Sequence, residues 1–209
     1  MSGKIIFVNG ASSAGKSTLC RALQAKLEEP FWHFSIDHLR DAHVLPLERI
    51  RSGEFSWSVM RPAFFEGFYG CLPVLAAAGN NLLIENIVET QAWMDRLVQI
   101  LEPFDVFFVG VHCPLPELER REIERGDRRI GDARQDYAVI HTFGIYDLEV
   151  DSTGSLDQNV ETIVSAWKNR QLPSAFNKMA AARGVADDVC ILPSSEFVLG
   201  GGQMSREEI

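Results

Sequence analysis

The sequence predicts an α/β fold, a parallel sheet with helices on both faces. Three observations lead there. Short apolar runs rich in β-branched and aromatic residues recur along the chain, each bounded by turn signals. Stretches with apolar residues at helical spacing lie between them. The first strand-like run and the first helix-like stretch are joined by a glycine-rich loop, GASSAGKST, from Gly10 to Thr18. Strands that alternate with helices build parallel sheets, because each crossover is long enough to form a helix that packs back on a face.

The elements follow in order. KIIFV (4–8) is continuously apolar, as a strand buried on both faces must be. Residues 16–28 carry Leu19, Leu23 and Leu27 four apart, one face of a helix. FWHFSI (31–36) reads as a second strand ending at Asp37. NLLIENIV (81–88) is a third, after the Gly79-Asn80 break, and DVFFVGVHC (105–113) is a fourth, stopped by Pro114. YDLEVDS (146–152) is a weaker fifth. Helices are expected over 61–78, 90–101, 115–125, 132–141 and 156–169. No internal repeat and no linker interrupts the chain before about residue 171. The expected organisation is one domain over 1–171 with a lid near 115–134, then a partly ordered extension over 172–209 holding a short helix at 174–183. An arm laid across a second copy, making a homo-oligomer, is the alternative for that extension.

Composition bounds the function. In 209 residues, 46% hydrophobic and 23% charged, a real core is expected. The formal net charge of −9 argues against a general nucleic-acid binder, since a phosphate backbone needs a basic face. Cys20, Cys71, Cys113 and Cys190 are scattered without a C-x-x-C pair, which argues against a zinc site or a redox dithiol, so they read as reduced, buried thiols of a cytoplasmic protein. No window approaches the roughly 20 apolar residues of a membrane span, so no membrane partner is expected.

The glycine loop carries the chemistry. Gly10-Ala11-Ser12-Ser13-Ala14-Gly15-Lys16-Ser17 fits G-x-x-x-x-G-K-[ST], and Thr18 follows. Glycines permit dihedrals that a Cβ forbids, and small residues let a diphosphate approach the main chain. Successive N–H groups then make an anion nest, completed by the positive end of the next helix. Lys16 adds a cation for the β- and γ-phosphates, and Ser17 offers a hydroxyl to Mg²⁺. A flexible glycine turn does not account for Lys16-Ser17 at that offset.

A kinase, a GTPase-type switch and a mechanical ATPase all use such a loop. No N-K-x-D box supports the switch, and the chain is too short for the further modules of a motor. A kinase acting on a hydroxyl benefits from a carboxylate that orients the O–H and takes its proton. Asp37, at the carboxyl end of the second strand, is placed for this, or it caps the helix that follows. Glu85, an acid inside an apolar strand, needs a cation or donor there; it either serves a Mg²⁺-bound water or the acceptor, or it ends the strand at the surface. Asn86 beside it offers an amide contact.

LERREIERGDRRIGDAR (118–134) holds six arginines against five acids, a local basic enrichment in an acidic chain. Planar arginine forks suit the charge of a transferring phosphoryl group, and the glycine break gives a hinge for a lid. Arg125, Arg128 and Arg121 are the candidates; the alternative is a solvated helix with i,i+4 ion pairs such as Glu117–Arg121 or Glu124–Arg128. Residues 43–72 are rich in large apolar groups. Phe64, Phe65, Phe68 and Leu72 lie at helical spacing and read as core, whereas Phe55 and Trp57, in a Ser/Gly-rich loop, read as walls for an aromatic or amphipathic acceptor. His38 and His43 flank Asp41 but nothing fixes a metal geometry.

These segments together resemble the chloramphenicol phosphotransferase family, from about residue 4 to 169: VNGASSAGKST, the ID-x-L-x-D segment from Ile36, the E-x-R-E-x-x-R-G-D-R-x-x-G lid and the closing YD-x-E-V-D. The resemblance implies a three-layer P-loop NTPase fold of the nucleoside-monophosphate-kinase kind, with strand order 2-3-1-4-5. It implies ATP- and Mg²⁺-dependent phosphorylation of a small-molecule hydroxyl, with the base at Asp37, the phosphate loop at Gly10 to Thr18 and lid arginines at Arg125 and Arg128. In similar kinases the loop after the last strand borders the adenine, which falls on Thr153 and Gly154. A metabolic small-molecule or nucleotide kinase, and a nucleotide-binding regulator that hydrolyses ATP slowly, remain open beside antibiotic inactivation.

Overall fold

In a computed structural model, residues 2–126 and 130–183 are described. Five parallel strands form one sheet in the order β2-β3-β1-β4-β5: β1 Ile5–Gly10, β2 Phe31–Ser35, β3 Asn81–Asn86, β4 Val106–His112 and β5 Leu148–Asp151. The helices among the described residues are α1 Lys16–Lys26, α2 Ile36–Asp41, α3 Leu47–Arg51, α4 Trp57–Ala77, α5 Gln91–Leu101, α6 Leu115–Arg125, α7 Asp132–Val139, α8 Leu156–Lys168 and α9 Ala175–Ala182. The fold class and strand order are those expected.

The sheet has a core on each face because side chains alternate along each strand. From β1, Ile6 and Val8 point to one layer with Leu19 and Leu23 of α1 and Ile163 and Trp167 of α8. Ile5 and Phe7 point to the other, with Phe68, Tyr69 and Leu72 of α4, Met94 and Leu97 of α5 and Phe176 of α9. The aromatic residues of 64–72 are therefore packing groups, as the spacing suggested. None of the described helices is long and apolar enough to cross a membrane.

Several boundaries differ from expectation, each for a local reason. Strand β2 stops at Ser35, whose hydroxyl accepts from the Asp37 N–H and so starts α2 there. Helix α4 begins at Trp57, four residues before the expected start, and carries Pro62 and Pro73 inside it. Trp57 is thus a helix residue, not a loop one. Tyr146 and Asp147 precede β5 and act as a clamp: Asp147 accepts from the Phe108 N–H at 2.8 Å and the Ala175 N–H at 2.7 Å. Cys20 and Cys113 are buried, but Cys71 is exposed, contrary to the expectation of buried thiols, and Cys190 lies outside the described residues.

The segment beyond 171, set apart by sequence as an extension, begins with a core helix. Ser174 caps α9 with Asn177 in a reciprocal box. Phe176 meets Phe108 at 5.2 Å between ring centroids and Phe7 at 6.0 Å, and it is 1% exposed. Phe176→Ala is expected to cost about 3–5 kcal/mol by opening a cavity under the sheet. Chemical denaturation reads this, and a loss below about 1 kcal/mol would show that α9 is dispensable to the core.

Candidate functional site

Parallel register brings the strand ends together. Ser35 of β2 and Val8 of β1 both lie opposite Glu85 of β3, and Gly10 lies opposite Val111 of β4. The chain leaving β1 therefore enters the glycine loop with Glu85 on one side and β4 on the other. Gly10 has no room for a side chain: a Cβ would lie 2.7 Å from the Val111 carbonyl oxygen. Gly15 caps α1 at φ 84°, in the left-handed region that glycine tolerates.

Lys16 is 6% exposed, and its Nζ donates to the Ala11 carbonyl at 2.7 Å. Burial lowers its pKa, opposed by the charges of Glu85, Asp136, Asp37 and Cys20, in that order. Three carboxylates thus face one buried ammonium. Glu85 is 6% exposed; one oxygen accepts from Ser17 Oγ at 2.6 Å, and the other pairs with His33 Nε2 at 3.0 Å. Burial opposes its ionisation, but the His33 bond, the Lys16 charge and the Ser17 hydroxyl outweigh that and pull its pKa down to about 2. Glu85 is a buried anion at the P-loop, not a strand-end acid at the surface. Asn86 donates to the Tyr69 hydroxyl at 3.1 Å, which ties it to α4.

Asp37 stands in the first turn of α2, where Ser35 does the capping. Its carboxylate pairs with Arg40 at 3.1 Å, and it is close enough to Lys16 to act on its charge. It is two-thirds covered, so solvent and an acceptor can both reach it.

The residues of the nest fit a polyphosphate. Ser13, at φ 62°, has a buried hydroxyl that lacks a partner among the described residues, which is costly unless a ligand supplies one. The Ser12 N–H, at the mouth of the loop, donates to Asp136 of α7 at 2.7 Å. Ala11, Ser12, Ser13 and Ala14 are all buried. Ser17 and Glu85 together offer the hydroxyl and carboxylate that a hard cation takes, directly or through water.

Arg121 spans from the P-loop to the loop after β5. Its guanidinium donates to the Ser152 hydroxyl at 3.2 Å and carbonyl at 3.1 Å, and it lies beside Gly15. Its Nε donates to Glu117 at 2.7 Å, the i,i+4 pair that sequence suggested. Arg125 ends α6 on the exposed side, and Arg128 lies outside the described residues. Thr153 is exposed and turns on itself, its N–H and hydroxyl both donating to Asp151; Gly154 follows in the same turn. Phe55 is half-buried under the Arg49 guanidinium, 4.0 Å from its ring centroid. Trp57 packs on Phe64.

Four residues with roles here were not selected by sequence. His33 orients Glu85. Glu122, 1% exposed, accepts from the Gly131 and Ala133 N–H groups at 2.8 Å each and so fixes the start of α7. Asp136 covers the loop. Arg61 lies against the stacked rings of Phe65 and Trp93, 4.6 and 4.8 Å from their centroids, and pairs with Glu89 at 2.8 Å. An acid whose partner is a loop amide more than 120 residues away leaves no mark in local sequence. Glu122 had a signal, an acid on the apolar side of α6, one turn after Leu118.

A family model described as chloramphenicol phosphotransferase-like protein matches residues 3–168. The chain belongs to the chloramphenicol phosphotransferase-like family. A Mycobacterium tuberculosis protein named "Putative O-phosphotransferase" is 29% identical over 197 residues, 85% of this chain and 88% of the relative. Among solved structures, the M. tuberculosis APS kinase CysC in complex with AMPPNP and APS superposes with a TM-score of 0.61 at 19% identity, covering 80% of this chain and 98% of that one. The Deinococcus radiodurans tunicamycin resistance protein gives 0.57 at 18% identity, covering 80% and 96%. Identities this low show the shared fold alone. This chloramphenicol phosphotransferase-like chain is a kinase-type phosphotransferase with a P-loop kinase fold. The family match ends at the last residue of α8, so α9 with its core Phe176 lies beyond it.

The Asp136 contact carries a pH prediction. Burial pushes its carboxyl up to about 6, against the Ser12 N–H bond, which favours the anion. The folded value lies above the usual 3.8, so this group favours the fold most below that value. The contribution is lost as pH rises through about 6. Asp136→Asn is therefore expected to flatten the fall in thermal stability between pH 4 and 6. Melting curves across that range check it; an unchanged slope would place the titration elsewhere.

Proposed function

We propose that this chain is an ATP- and Mg²⁺-dependent O-phosphotransferase that phosphorylates a hydroxyl on a small aromatic or amphipathic molecule. The observation that carries the proposal is the buried Lys16 at an anion nest, with the Ser17–Glu85 hydrogen bond beside it and Asp136 on the Ser12 amide. Bound Mg²⁺–ATP would supply the electrophilic phosphoryl group. The main-chain amides of Gly10 to Thr18 and Lys16 hold the phosphates, with Ser17 and Glu85 as the hydroxyl and carboxylate for the cation. Asp37 orients the acceptor hydroxyl and takes its proton as the oxygen–phosphorus bond forms. Arg121 and Arg125, and Arg128 by its place in the lid motif, neutralise charge on the transferred group. Thr153 and Gly154 border the base.

The acceptor is proposed to be uncharged. A kinase of phosphorylated metabolites or nucleotides needs a cluster of free arginines at the acceptor, whereas in residues 43–72 Arg49 is paired with Glu54 and Arg61 with Glu89, which leaves exposed Arg51 alone. Half-buried Phe55 and Trp57 offer aromatic walls for an apolar ring, with Glu85 and Asn86 at the end of β3. Inactivation of a chloramphenicol-like antibiotic fits such an acceptor. The deciding experiment is a screen of hydroxylated compounds, chloramphenicol included, for acceptor-dependent ADP release. Release in the presence of one acceptor class, with phosphate recovered on that compound, is the expected result. Slow release that no acceptor changes would favour a regulatory ATPase instead.

A further inference from the structure

We infer that Cys20, His33 and Glu85 form a binding site for a soft divalent cation of the zinc class, set behind the P-loop. The three side chains come from α1, β2 and β3, and a sulfur, an imidazole nitrogen and a carboxylate oxygen among them all lie within 4.8 Å of one another. Tetrahedral zinc, with bonds of about 2.0–2.3 Å, sets its donor atoms roughly 3.3–3.8 Å apart. The three groups therefore need to shift by less than the width of an atom. His33 Nε2 and a Glu85 oxygen already face each other at 3.0 Å, and a cation would enter between them.

The donor set decides the class of ion. Thiolate and imidazole select zinc-like ions, whereas magnesium takes an all-oxygen shell with several waters. Supporting groups are in place. The His38 ring stands edge-on to His33 at 4.5 Å between centroids, and Ser17 holds the other Glu85 oxygen at 2.6 Å. Cys20 is fully buried and the His33 side chain is 7% exposed, so the cluster is shielded from solvent. Binding replaces the S–H bond of Cys20 by a sulfur–metal bond and releases that proton to solvent. The thiolate and the Glu85 carboxylate together balance the two charges of the ion.

One consequence rests on the proposed kinase reaction. An ion held here neutralises Glu85, the carboxylate assigned to the magnesium shell, so turnover falls as the site fills and returns with a chelator. The binding itself needs no reaction to be tested.

Cobalt(II) titration of the nucleotide-free full chain reads the site directly. An equimolar amount is expected to give a thiolate-to-cobalt charge-transfer band and visible bands of tetrahedral intensity, both displaced by zinc. Cys20→Ser should abolish the charge-transfer band, and His33→Gln should weaken binding more than about tenfold. Cys71→Ser, at the exposed cysteine, should leave the spectrum unchanged. No charge-transfer band, or one that survives in Cys20→Ser or vanishes in Cys71→Ser, would overturn the inference. If Cys20→Ser does not fold, X-ray absorption of the zinc-loaded wild-type chain decides: one sulfur in the metal's shell supports the site and a sulfur-free shell rejects it. The spectroscopic signature without loss of turnover would leave the site standing and remove Glu85 from the reaction. Loss of turnover without the signature would place the inhibiting ion elsewhere and end the inference.

Discussion

Lys16→Ala is expected to abolish phosphoryl transfer, by on the order of 10³-fold or more in kcat/KM, while leaving a folded protein. The reason is the balance of charge around the side chain. Glu85, Asp136 and Asp37 all act on Lys16, and the Ser17–Glu85 pair sits in the next turn of chain. Without the ammonium, a triphosphate would enter a nest bordered by three carboxylates and no buried cation. The fold should survive, because Lys16 pays a desolvation cost in the empty protein: burial is the largest influence on its pKa and acts against the charged form. Lys16→Arg should not rescue transfer, since the guanidinium is larger and planar and cannot follow the path of the Nζ to the Ala11 carbonyl. Acceptor-dependent ADP release and a thermal melt on the same preparations test both halves. A tenth of wild-type turnover in Lys16→Ala would remove the lysine from the reaction.

Asp37→Asn is expected to lower kcat by about 10²-fold or more with nucleotide affinity nearly unchanged. The amide keeps the shape and one hydrogen bond but cannot accept a proton. Asp37 does not cap α2, which Ser35 does, so the substitution should not shorten the helix. Its partner Arg40 lies at 3.1 Å and is itself about one-third exposed, so the lost ion pair costs little. The informative comparison is kcat against nucleotide Kd by calorimetry. Equal losses in both would mean that Asp37 organises the loop instead of acting on the acceptor.

Much of the site was legible because its chemistry is local. The glycine loop, Lys16 and Ser17 are contiguous, and a buried strand before them with an amphipathic helix after them is a pattern of a few residues. Asp37 and Glu85 stood out for equally local reasons, one an acid at the end of an apolar run and the other an acid inside one. Arginine density over 118–134 marked Arg121 as a candidate but could not show that it is tied to the loop after β5, or that Arg120 is engaged with Glu117 and Glu124 on the surface. Tyr146 and Asp147 read as strand because they continue its alternation. Their work is to clamp β4 and α9, which depends on partners far along the chain.

The sequence by itself determined the class of fold, the strand order through family resemblance, and the phosphate loop, because periodicity and short motifs are properties of neighbouring residues. Only the tertiary structure decided which acids share Lys16, that Glu85 is a buried anion bound to Ser17 and His33, that Asp136 covers the Ser12 amide, and that Phe176 belongs to the core. Each of these is a meeting of residues tens of positions apart, fixed by parallel register and by helices packing back on the sheet. No local pattern encodes such a meeting, since the free energy that selects it comes from burial and hydrogen bonds made only when the whole domain closes.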